Sequence, residues 1–228
     1  MSEAAPVPTG CAPLDELLGG GLERGTVTQL YGPPAAGKTN VCLSAAAGVA
    51  AGDGMAVYLD TEGVSPERFE QVLSGASDDP EAASANVVLT AIHDFEEQAE
   101  AVRDVEEFAE AADLLVLDSA TGFYRLKRSN DDEGETLRSV ARQITQLLSL
   151  ARKHDLAVVV TNQVYTDPDA DRDRPLGGHT LEHWTGTVVR LERFRGGKRR
   201  ATLEKHRAKP AGETAQFSIT GAGIEAAD

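Results

Sequence analysis

The stretch "YGPPAAGKTN" (31–40) decides the fold of this chain. It contains the pattern G-x-x-x-x-G-K-[ST], whose backbone N–H groups and following helix N-terminus form a cradle for phosphate. The strand-like run "GTVTQLYG" (25–32) precedes the pattern and a helical segment (38–51) follows it, so the context favours a phosphate-binding loop over a chance glycine turn. The expected ATP-binding residues of this loop are Gly32, Pro33, Pro34, Ala35, Ala36, Gly37, Lys38, Thr39 and Asn40.

A magnesium site is expected beside this loop. In such loops the lysine reaches the β- and γ-phosphates and the hydroxyl residue helps to hold Mg²⁺, which are the roles of Lys38 and Thr39. The apolar run "LLVLD" ends in Asp118, and an acid at the end of a neighbouring strand is the usual partner of the ion. A buried strand ending in Asp is common, but the upstream loop favours a Mg²⁺ role for Asp118.

Hydrolysis of ATP needs a group that orients or deprotonates water. Glu62 follows the strand "MAVYLD" (55–60) and should lie on the same sheet edge as the phosphate loop. It is therefore the candidate base, although a carboxylate capping the next helix is an alternative. Asn162 and Gln163 end a further strand at that edge, where an amide could contact the γ-phosphate or merely satisfy a turn.

Strand-length apolar runs alternate with helical patterns over most of the chain. The strands fall near 25–32, 55–60, 86–92, 113–118 and 156–163, and helices near 38–51, 66–74, 94–111 and 134–154. Continuous apolar strands between helices predict an α/β fold with a mostly parallel sheet covered on both faces. After residue 185, three strand patterns predict an antiparallel extension at one edge. We expect a single domain over 1–228, with residues 1–8 frayed.

The charge of the chain is strongly negative. The formal charge is −15, with 37 Asp and Glu against 16 Arg and 6 Lys. Carboxylates spread along the whole chain favour a protein that works in concentrated salt, where self-repulsion is screened; an ordinary acidic cytosolic protein is the alternative. No signal peptide or membrane span is recognisable, and two cysteines do not make a disulfide framework, so we expect a cytoplasmic protein.

Several segments together resemble one protein family. "PTGCAPLDELLGGGLERGTVTQLYGPPAAGKTN" (8–40), "YLDTEGVSPERF" (58–69), "LLVLDSATGFYR" (114–125) and "PLGGHTLEHWTGTVVRLER" (175–193) are similar to the core of RecA/RadA recombinases. The resemblance spans about residues 8–225 and implies a RecA-like P-loop NTPase core. Because the N-terminal helix-hairpin-helix domain of RadA is not expected here, the chain looks most like RadB, the archaeal recombinase paralogue, and we expect a haloarchaeal source.

The resemblance also implies roles for individual residues. It likens Glu62 to the residue that activates water, and Gln163 to the residue linking the γ-phosphate to a DNA loop. It likens Arg68 to an arginine packing on adenine and His183 to a histidine near phosphate. Pro210 lies in the region that caps a neighbouring subunit's nucleotide. The two segments likened to DNA loops, 125–135 and 165–178, are mixed or acidic in charge.

The family implies a nucleoid-associated DNA repair and homologous recombination accessory. Such a protein binds ATP, Mg²⁺ and DNA, modulates a RadA-type recombinase and is a weak ATPase; the sequence leaves open whether it forms a homo-oligomer. A KaiC-like regulatory ATPase acting on protein partners is the alternative, because it shares the RecA core. A small-molecule kinase would need an Arg-rich lid and an acceptor pocket, and neither is recognisable in the sequence.

A basic block opposes the overall charge. Nine of the 22 cationic residues lie between Arg190 and Lys209, with only Glu192 and Glu204 against them. A hairpin turn at "RGGK" (195–198) would place Arg193 and Arg195 on one side with some of Arg200, Glu204 and His206. Either the block contacts DNA phosphates, or its charges protect a sheet edge from aggregation. The predicted DNA-binding residues are Arg193, Arg195, Lys198, Arg199, Arg200, Lys205, His206 and Arg207.

Overall fold

The computed structural model describes residues 4–123, 133–167 and 172–227. The helices are α1 (Ala12–Leu18), α2 (Lys38–Ala51), α3 (Pro66–Ala76), α4 (Pro80–Ser84), α5 (Phe95–Asp104), α6 (Glu133–His154) and α7 (Gly178–Glu182). The strands are β1 (Val27–Tyr31), β2 (Met55–Asp60), β3 (Val87–Ala91), β4 (Ala112–Asp118), β5 (Ala157–Asn162), β6 (Val164–Asp167), β7 (Arg172–Pro175), β8 (Thr187–Arg193), β9 (Arg199–Lys205), β10 (Thr214–Thr220) and β11 (Gly223–Ala226).

Nine strands form one sheet in the order β11-β10-β9-β8-β1-β5-β4-β2-β3. The pairings from β8 through β3 are all parallel, whereas β8–β9, β9–β10 and β10–β11 are antiparallel. The predicted α/β class with a C-terminal antiparallel extension is confirmed. The assignment of β8 to that extension is wrong in part, because β8 pairs in parallel with β1 and is antiparallel only to β9.

Strand β4 shows why the sheet is covered on both faces. Successive side chains of a strand point to opposite faces. Leu114 and Val116 pack in the hydrophobic cluster that includes residues of α1, α2 and α3. Leu115 and Leu117 pack in the cluster that includes α5 and α6. All four are fully buried, so a continuous apolar run is what this position requires, and the parallel edge it supports carries the functional loops.

The N-terminal segment departs from the expected fraying. Val7 is buried and pairs with Leu22 through two backbone hydrogen bonds of 2.9 and 2.7 Å. The Thr9 N–H and hydroxyl both donate to Asp15 Oδ1 at 2.7 Å, which ties the segment to α1. The expectation of disorder is therefore wrong for Val7, because an apolar side chain finds a place in the core. Residues 1–3 lie outside the described residues.

Several short elements were not predicted from the sequence. These are α1, α4, α7, the β6–β7 hairpin and β11. Most of segment 125–135 and the middle of segment 165–178 lie outside the described residues, so the predictions for these two loops stay predictions. Within the described ranges, no helix combines the length and apolarity needed to cross a membrane.

Candidate nucleotide site and basic hairpin

The phosphate loop joins the end of β1 to the start of α2, as predicted. Gly37 precedes α2 with φ of 105°, a conformation that glycine tolerates best, and the free N–H groups of the helix face the loop. The Lys38 Nζ donates to the carbonyl oxygens of Gly32 and Pro33 at 2.8 and 3.2 Å. Burial lowers the pKa of Lys38, so its ammonium is partly desolvated at the loop. The loop therefore forms an anion-binding cradle, and the Lys38 ammonium is bonded to its backbone.

Gly32 is required by a close approach of two backbones. A Cβ at this position would lie 2.1 Å from the Leu191 carbonyl oxygen. Leu191 belongs to β8, which pairs in parallel with β1. The phosphate loop is therefore seated directly against the strand that leads into the basic block, and only glycine permits that contact.

Asp118 lies at the end of β4 in a fully enclosed position. It is 1% exposed, and burial raises its pKa, while hydrogen bonds from Thr161, Thr39 and Tyr58 oppose that rise. The Tyr58 hydroxyl donates to Asp118 Oδ2 at 2.8 Å, and the Thr161 hydroxyl donates to Oδ1. Carboxylate and hydroxyl oxygens suit Mg²⁺, which is usually bound by one or two protein oxygens plus substrate phosphates and water. Thr39 and Asp118 fit such an ion.

Glu62 is positioned by the residue that ends β2. The buried Asp60 carboxylate accepts the backbone N–H groups of Glu62, Gly63 and Val64 at 3.0, 3.0 and 2.7 Å, which fixes the turn after the strand. Helix α3 is capped by Ser65, whose side chain accepts from the Arg68 N–H. The alternative of Glu62 as the helix cap is therefore wrong, because another residue holds that position.

Glu62 and Gln163 meet across the sheet edge. Glu62 Oε1 accepts from Gln163 Nε2 at 3.2 Å and from the Ser119 hydroxyl at 2.6 Å. The Thr61 hydroxyl donates to the Ser119 carbonyl at 3.1 Å and accepts from the Ser119 N–H at 2.7 Å. The sequence did not single out Asp60, Thr61 or Ser119. All three are polar residues at or directly after the end of an apolar strand, and this pattern could have indicated them.

The neighbouring amide, Asn162, does not reach the pocket. Its side chain is buried, accepts from the Thr121 hydroxyl at 2.7 Å and donates to the Leu176 carbonyl at 2.8 Å. Of the two amides at the end of β5, only Gln163 therefore lines the phosphate pocket. Asn162 instead ties β5 to the end of the β6–β7 hairpin.

These side chains surround one pocket of ≈ 200 Å³. Its lining combines loop backbone, the Lys38 ammonium and the three polar residues from β2, β4 and β5. The lining residues are Pro34, Ala35, Gly37, Lys38, Thr39, Asn40, Glu62, Asp118 and Gln163. Of the other predicted loop residues, Gly32, Pro33 and Ala36 lie outside this lining, and Ala36 is fully buried.

Arg68 lies beside the loop but is engaged by protein. Its Nε and Nη2 both donate to Asn40 Oδ1, at 3.0 and 2.6 Å. Its Nη1 donates to the carbonyl oxygens of Thr220 and Gly221 at 2.8 and 3.0 Å. The guanidinium thus joins α2 to the turn between β10 and β11, which leaves only its flat face for a nucleobase.

His183 and Pro210 do not join the pocket of their own chain. His183 is exposed and stands edge-on to the Trp184 ring, with centroids 4.9 Å apart. Pro210 is exposed between β9 and β10. The turn after α7 places His183 outside the residues that line the pocket, and its proximity to phosphate stays a prediction.

The β8–β9 hairpin organises the basic block differently from the prediction. Arg200 lies opposite Glu192, whereas Arg193 lies opposite Arg199, so Arg200 does not share a side with Arg193. Arg200 pairs with Glu192 at 3.2 Å and lies 3.8 Å over the Phe194 ring. Direct cross-strand neighbours share a face, and the actual register therefore neutralises part of the block.

Other basic residues of the block also form ion pairs or hydrogen bonds within the protein. Arg190 pairs with Glu192 and Glu204 at 3.2 and 3.3 Å. Arg207 pairs with Glu23 at 2.8 Å. The Lys205 Nζ donates to the carbonyl oxygens of Glu182 and Thr185 at 2.6 and 2.8 Å. The ring of His206 accepts from the Ala208 N–H at 3.0 Å.

The alternative explanation of the block, protection of a sheet edge, is wrong. Strands β8 and β9 lie inside the sheet, whose outer strands are β11 and β3. An interior strand has no unpaired backbone edge to protect. The excess charge at the hairpin therefore needs another explanation.

The sheet order, the phosphate loop and the buried acid at the end of β4 define a P-loop NTPase with a RecA-like core. The model of the Rad51 family matches residues 2–227, and the chain belongs to this family. It is 71% identical to the DNA repair and recombination protein RadB of Halobacterium salinarum, over 97% of this chain and 95% of that protein. It is 42% identical to RadB of Methanococcoides burtonii, over 95% and 96% of the two chains.

A solved structure agrees with these relatives. The crystal structure of the RadB recombinase superimposes with a TM-score of 0.84 and 36% identity, covering 97% of this chain and all of that one. The predicted resemblance to archaeal RadB is confirmed, and the Halobacterium relative supports the predicted haloarchaeal source. The relatives' names favour the recombination hypothesis over a KaiC-like regulator.

Proposed function

We propose that this chain is an ATP-binding accessory of DNA repair and homologous recombination. It binds DNA, modulates a RadA-type recombinase and hydrolyses ATP slowly. The observation that carries the proposal is the convergence of Lys38, Thr39, Asp118, Glu62 and Gln163 on one pocket. The relatives named for DNA repair and recombination supply the biological class.

Each residue of the pocket has a defined task. Lys38 would bind the β- and γ-phosphates, and Thr39 with Asp118 would hold Mg²⁺, which would supply neutralisation of the phosphate charge. Glu62 orients the attacking water and accepts its proton. Gln163 contacts Glu62 and begins the segment that leads into the β6–β7 hairpin, so it connects the γ-phosphate side of the site with that hairpin.

Slow turnover follows from the openness of the site. Glu62 is exposed to solvent, and hydrolysis is fastest where the site excludes bulk water and fixes the attacking one. A second copy of the chain, contributing Pro210 and His183, would close this side. We therefore expect turnover well below the enzyme median of about 10 s⁻¹.

The tip of the basic hairpin is the proposed DNA contact. Arg193, Arg195 and Arg199 make no ion pair with a described residue, unlike Arg190 and Arg200. Arg193 and Arg195 are also exposed. Lys198 lies between Arg195 and Arg199, at the end of the turn. Contacts from such residues reach phosphates and carry no base code, so binding should tolerate any sequence.

Replacement of the loop lysine tests the nucleotide site. Lys38→Ala should weaken Mg·ATP binding by about 30-fold or more, since truncating one member of a charge-assisted contact costs roughly 2–5 kcal/mol. Isothermal titration calorimetry measures the affinity. Lys153→Ala is the matched control, because Lys153 is exposed and, among the described residues, forms an ion pair only with Glu106. Equal affinity in the Lys38 variant and the wild type would refute the assignment.

Replacement of the hairpin tip tests the DNA contact. Arg193→Gln/Arg195→Gln should weaken DNA binding and lower the log–log salt slope by about 0.7 to 0.9 for each lost phosphate contact. Arg103→Gln/Arg152→Gln removes the same charge from exposed helix positions outside the hairpin and should leave the slope nearly unchanged. A salt titration followed by fluorescence anisotropy measures both variants. An unchanged slope in the hairpin variant would exclude the hairpin as the DNA contact.

A further inference from the structure

A second surface lies away from the phosphate pocket. One face of α6 and the turn after α7 enclose an open groove of ≈ 690 Å³, within the range of about 300–1,000 Å³ that is typical of ligand sites. The groove is lined by Glu135, Arg138, Ala141, Arg142, Thr145 and Trp184. Trp184 is 39% exposed. Among the described residues it is one of only three large apolar side chains with an exposed fraction of at least 36%.

The indole of Trp184 packs against the ring of its neighbour His183. The two rings are nearly perpendicular, with an interplanar angle of 85° and centroids 4.9 Å apart. The Lys205 ammonium donates to the carbonyl oxygens of Glu182 and Thr185, on either side of these two rings. An exposed ring on a fixed turn is preorganised for stacking, because little conformational entropy is lost on binding.

Two cations accompany the ring. Arg138 and Arg142 are exposed on α6 and make no ion pair with any residue in the described ranges. One helical turn separates them, roughly 6 Å along the axis, so both can contact one stretch of polymer backbone. Glu135 is the single acid of the lining. In a chain of charge −15, this local positive charge beside an exposed aromatic ring is complementary to a nucleic acid.

We propose that this groove binds single-stranded nucleic acid, with a base stacked on Trp184 and phosphates on Arg138 and Arg142. Single strands are the ligand because their bases expose a flat face, whereas duplex bases are already stacked. The inference rests on the proposed DNA-binding function and adds a second contact to the hairpin tip. It also gives Lys205 a role as a positioning residue that holds the turn carrying Trp184.

Salt separates the two components of this site. At about 1 M salt the Debye length is roughly 3 Å, so phosphate contacts weaken steeply. Stacking on an aromatic ring involves no counterion release and persists. A site working in concentrated salt therefore depends more on Trp184 than on the arginines, and the reverse holds in dilute salt.

The experiment uses the full chain and an oligo(dT) probe. Trp184 is the only tryptophan, so its fluorescence reports on this groove alone, and oligo(dT) should quench it. Labelled oligo(dT) followed by anisotropy gives the affinity of variants. At molar salt, Trp184→Ala should weaken binding about 5- to 100-fold, the range expected from stacking, and Trp184→Tyr should retain most of the affinity.

A separate prediction concerns Arg138 and Arg142. Arg138→Gln/Arg142→Gln should lower the log–log salt slope by about 1.4, at roughly 0.7 for each single-strand phosphate contact. Arg103→Gln/Arg152→Gln is the matched control and should leave the slope and the Trp184 quenching unchanged. Circular dichroism confirms that the variants are folded, and a folded Trp184→Ala variant with wild-type affinity would overturn the proposal.

The outcomes distinguish this inference from the proposed function. Oligo(dT) binding without a change in Trp184 emission overturns the groove and leaves the hairpin contact standing. No oligo(dT) or duplex binding by the wild type overturns both. A change in emission that follows protein concentration without nucleic acid shows that the face joins two copies of the chain, and this also overturns the proposal.

Discussion

The phosphate-loop edge and the β8–β9 hairpin both carry charged side chains, but these side chains differ in burial and in how their charge is compensated. Asp118 is 1% exposed and accepts hydrogen bonds from hydroxyl groups of neighbouring elements. Glu192 has a side chain 28% exposed and pairs with Arg190 on its own strand and with Arg200 across the hairpin. At the first edge the charge is held for a ligand. In the middle of the hairpin, the paired cations and anions neutralise each other, while the block as a whole keeps an excess of positive charge.

The energetic consequences differ accordingly. A buried charge costs several kcal/mol unless it is well compensated, so residues at the phosphate edge are sensitive to change. A solvent-exposed ion pair contributes about 0–1 kcal/mol to the free energy of unfolding. The paired residues of the hairpin should therefore tolerate substitution. The hairpin's importance therefore depends on the exposed Arg193 and Arg195 near its tip and not on the ion pairs in its middle.

Replacement of Glu62 gives the largest expected effect and tests the functional side of the comparison. Glu62→Gln should lower single-turnover ATP hydrolysis by roughly 10²- to 10⁴-fold, the usual contribution of a general base. ATP affinity should change little, because the amide oxygen can still accept from Ser119. Rapid-quench measurement with excess protein gives the rate. Hydrolysis at the wild-type rate would remove Glu62 from the mechanism.

Replacement of Gly32 tests the place where the two regions touch. Gly32→Ala should destabilise the fold by about 1–3 kcal/mol, as overpacked sites do, because its Cβ would lie 2.1 Å from the Leu191 carbonyl oxygen. Chemical denaturation in concentrated salt measures the free energy of unfolding.

Gly48 supplies the matched control for this prediction. It lies within α2, and a Cβ there would meet nothing within 4 Å. Gly48→Ala should therefore stabilise the protein by about 0.5–1 kcal/mol, the helix-propensity difference between the two residues. Equal stabilities of the two variants would show that the phosphate loop and β8 do not need their close contact.

Replacement of Asp118 gives the smallest expected effect and has an unusual sign. Because burial raises the pKa of Asp118 in the folded state, its ionisation opposes folding as pH rises through that raised pKa. Asp118→Asn should therefore raise the Tm of the nucleotide-free protein at pH 7 by a few degrees, since about 1 kcal/mol shifts the Tm of such a domain by roughly 2–4 °C. Mg·ATP binding should weaken in the same variant. A lower Tm would show that the hydrogen bonds from Tyr58 and Thr161 outweigh the cost of burial.

The phosphate edge was predictable from the sequence because parallel strands share one direction. Polar residues that directly follow apolar strands are carried to a common edge, which is how Glu62, Asp118 and Gln163 could be grouped with Lys38. Their precise contacts were not predictable. The hydrogen bonds from Ser119 to Glu62 and from Thr121 to Asn162 depend on turns. No local sequence pattern specifies the geometry of these turns.

The sequence by itself determined the class of fold, the phosphate loop and the acidic character of the protein, because these depend on local periodicity, a short motif and composition. Only the tertiary structure decided which cations are neutralised, that β8 joins the parallel sheet and that Trp184 lies beside Arg138 and Arg142. Pairing across a hairpin follows from register, since a shift of one residue moves every side chain to the other face. The approach of Trp184 to α6 joins residues about forty positions apart, and only packing of the whole chain fixes such contacts.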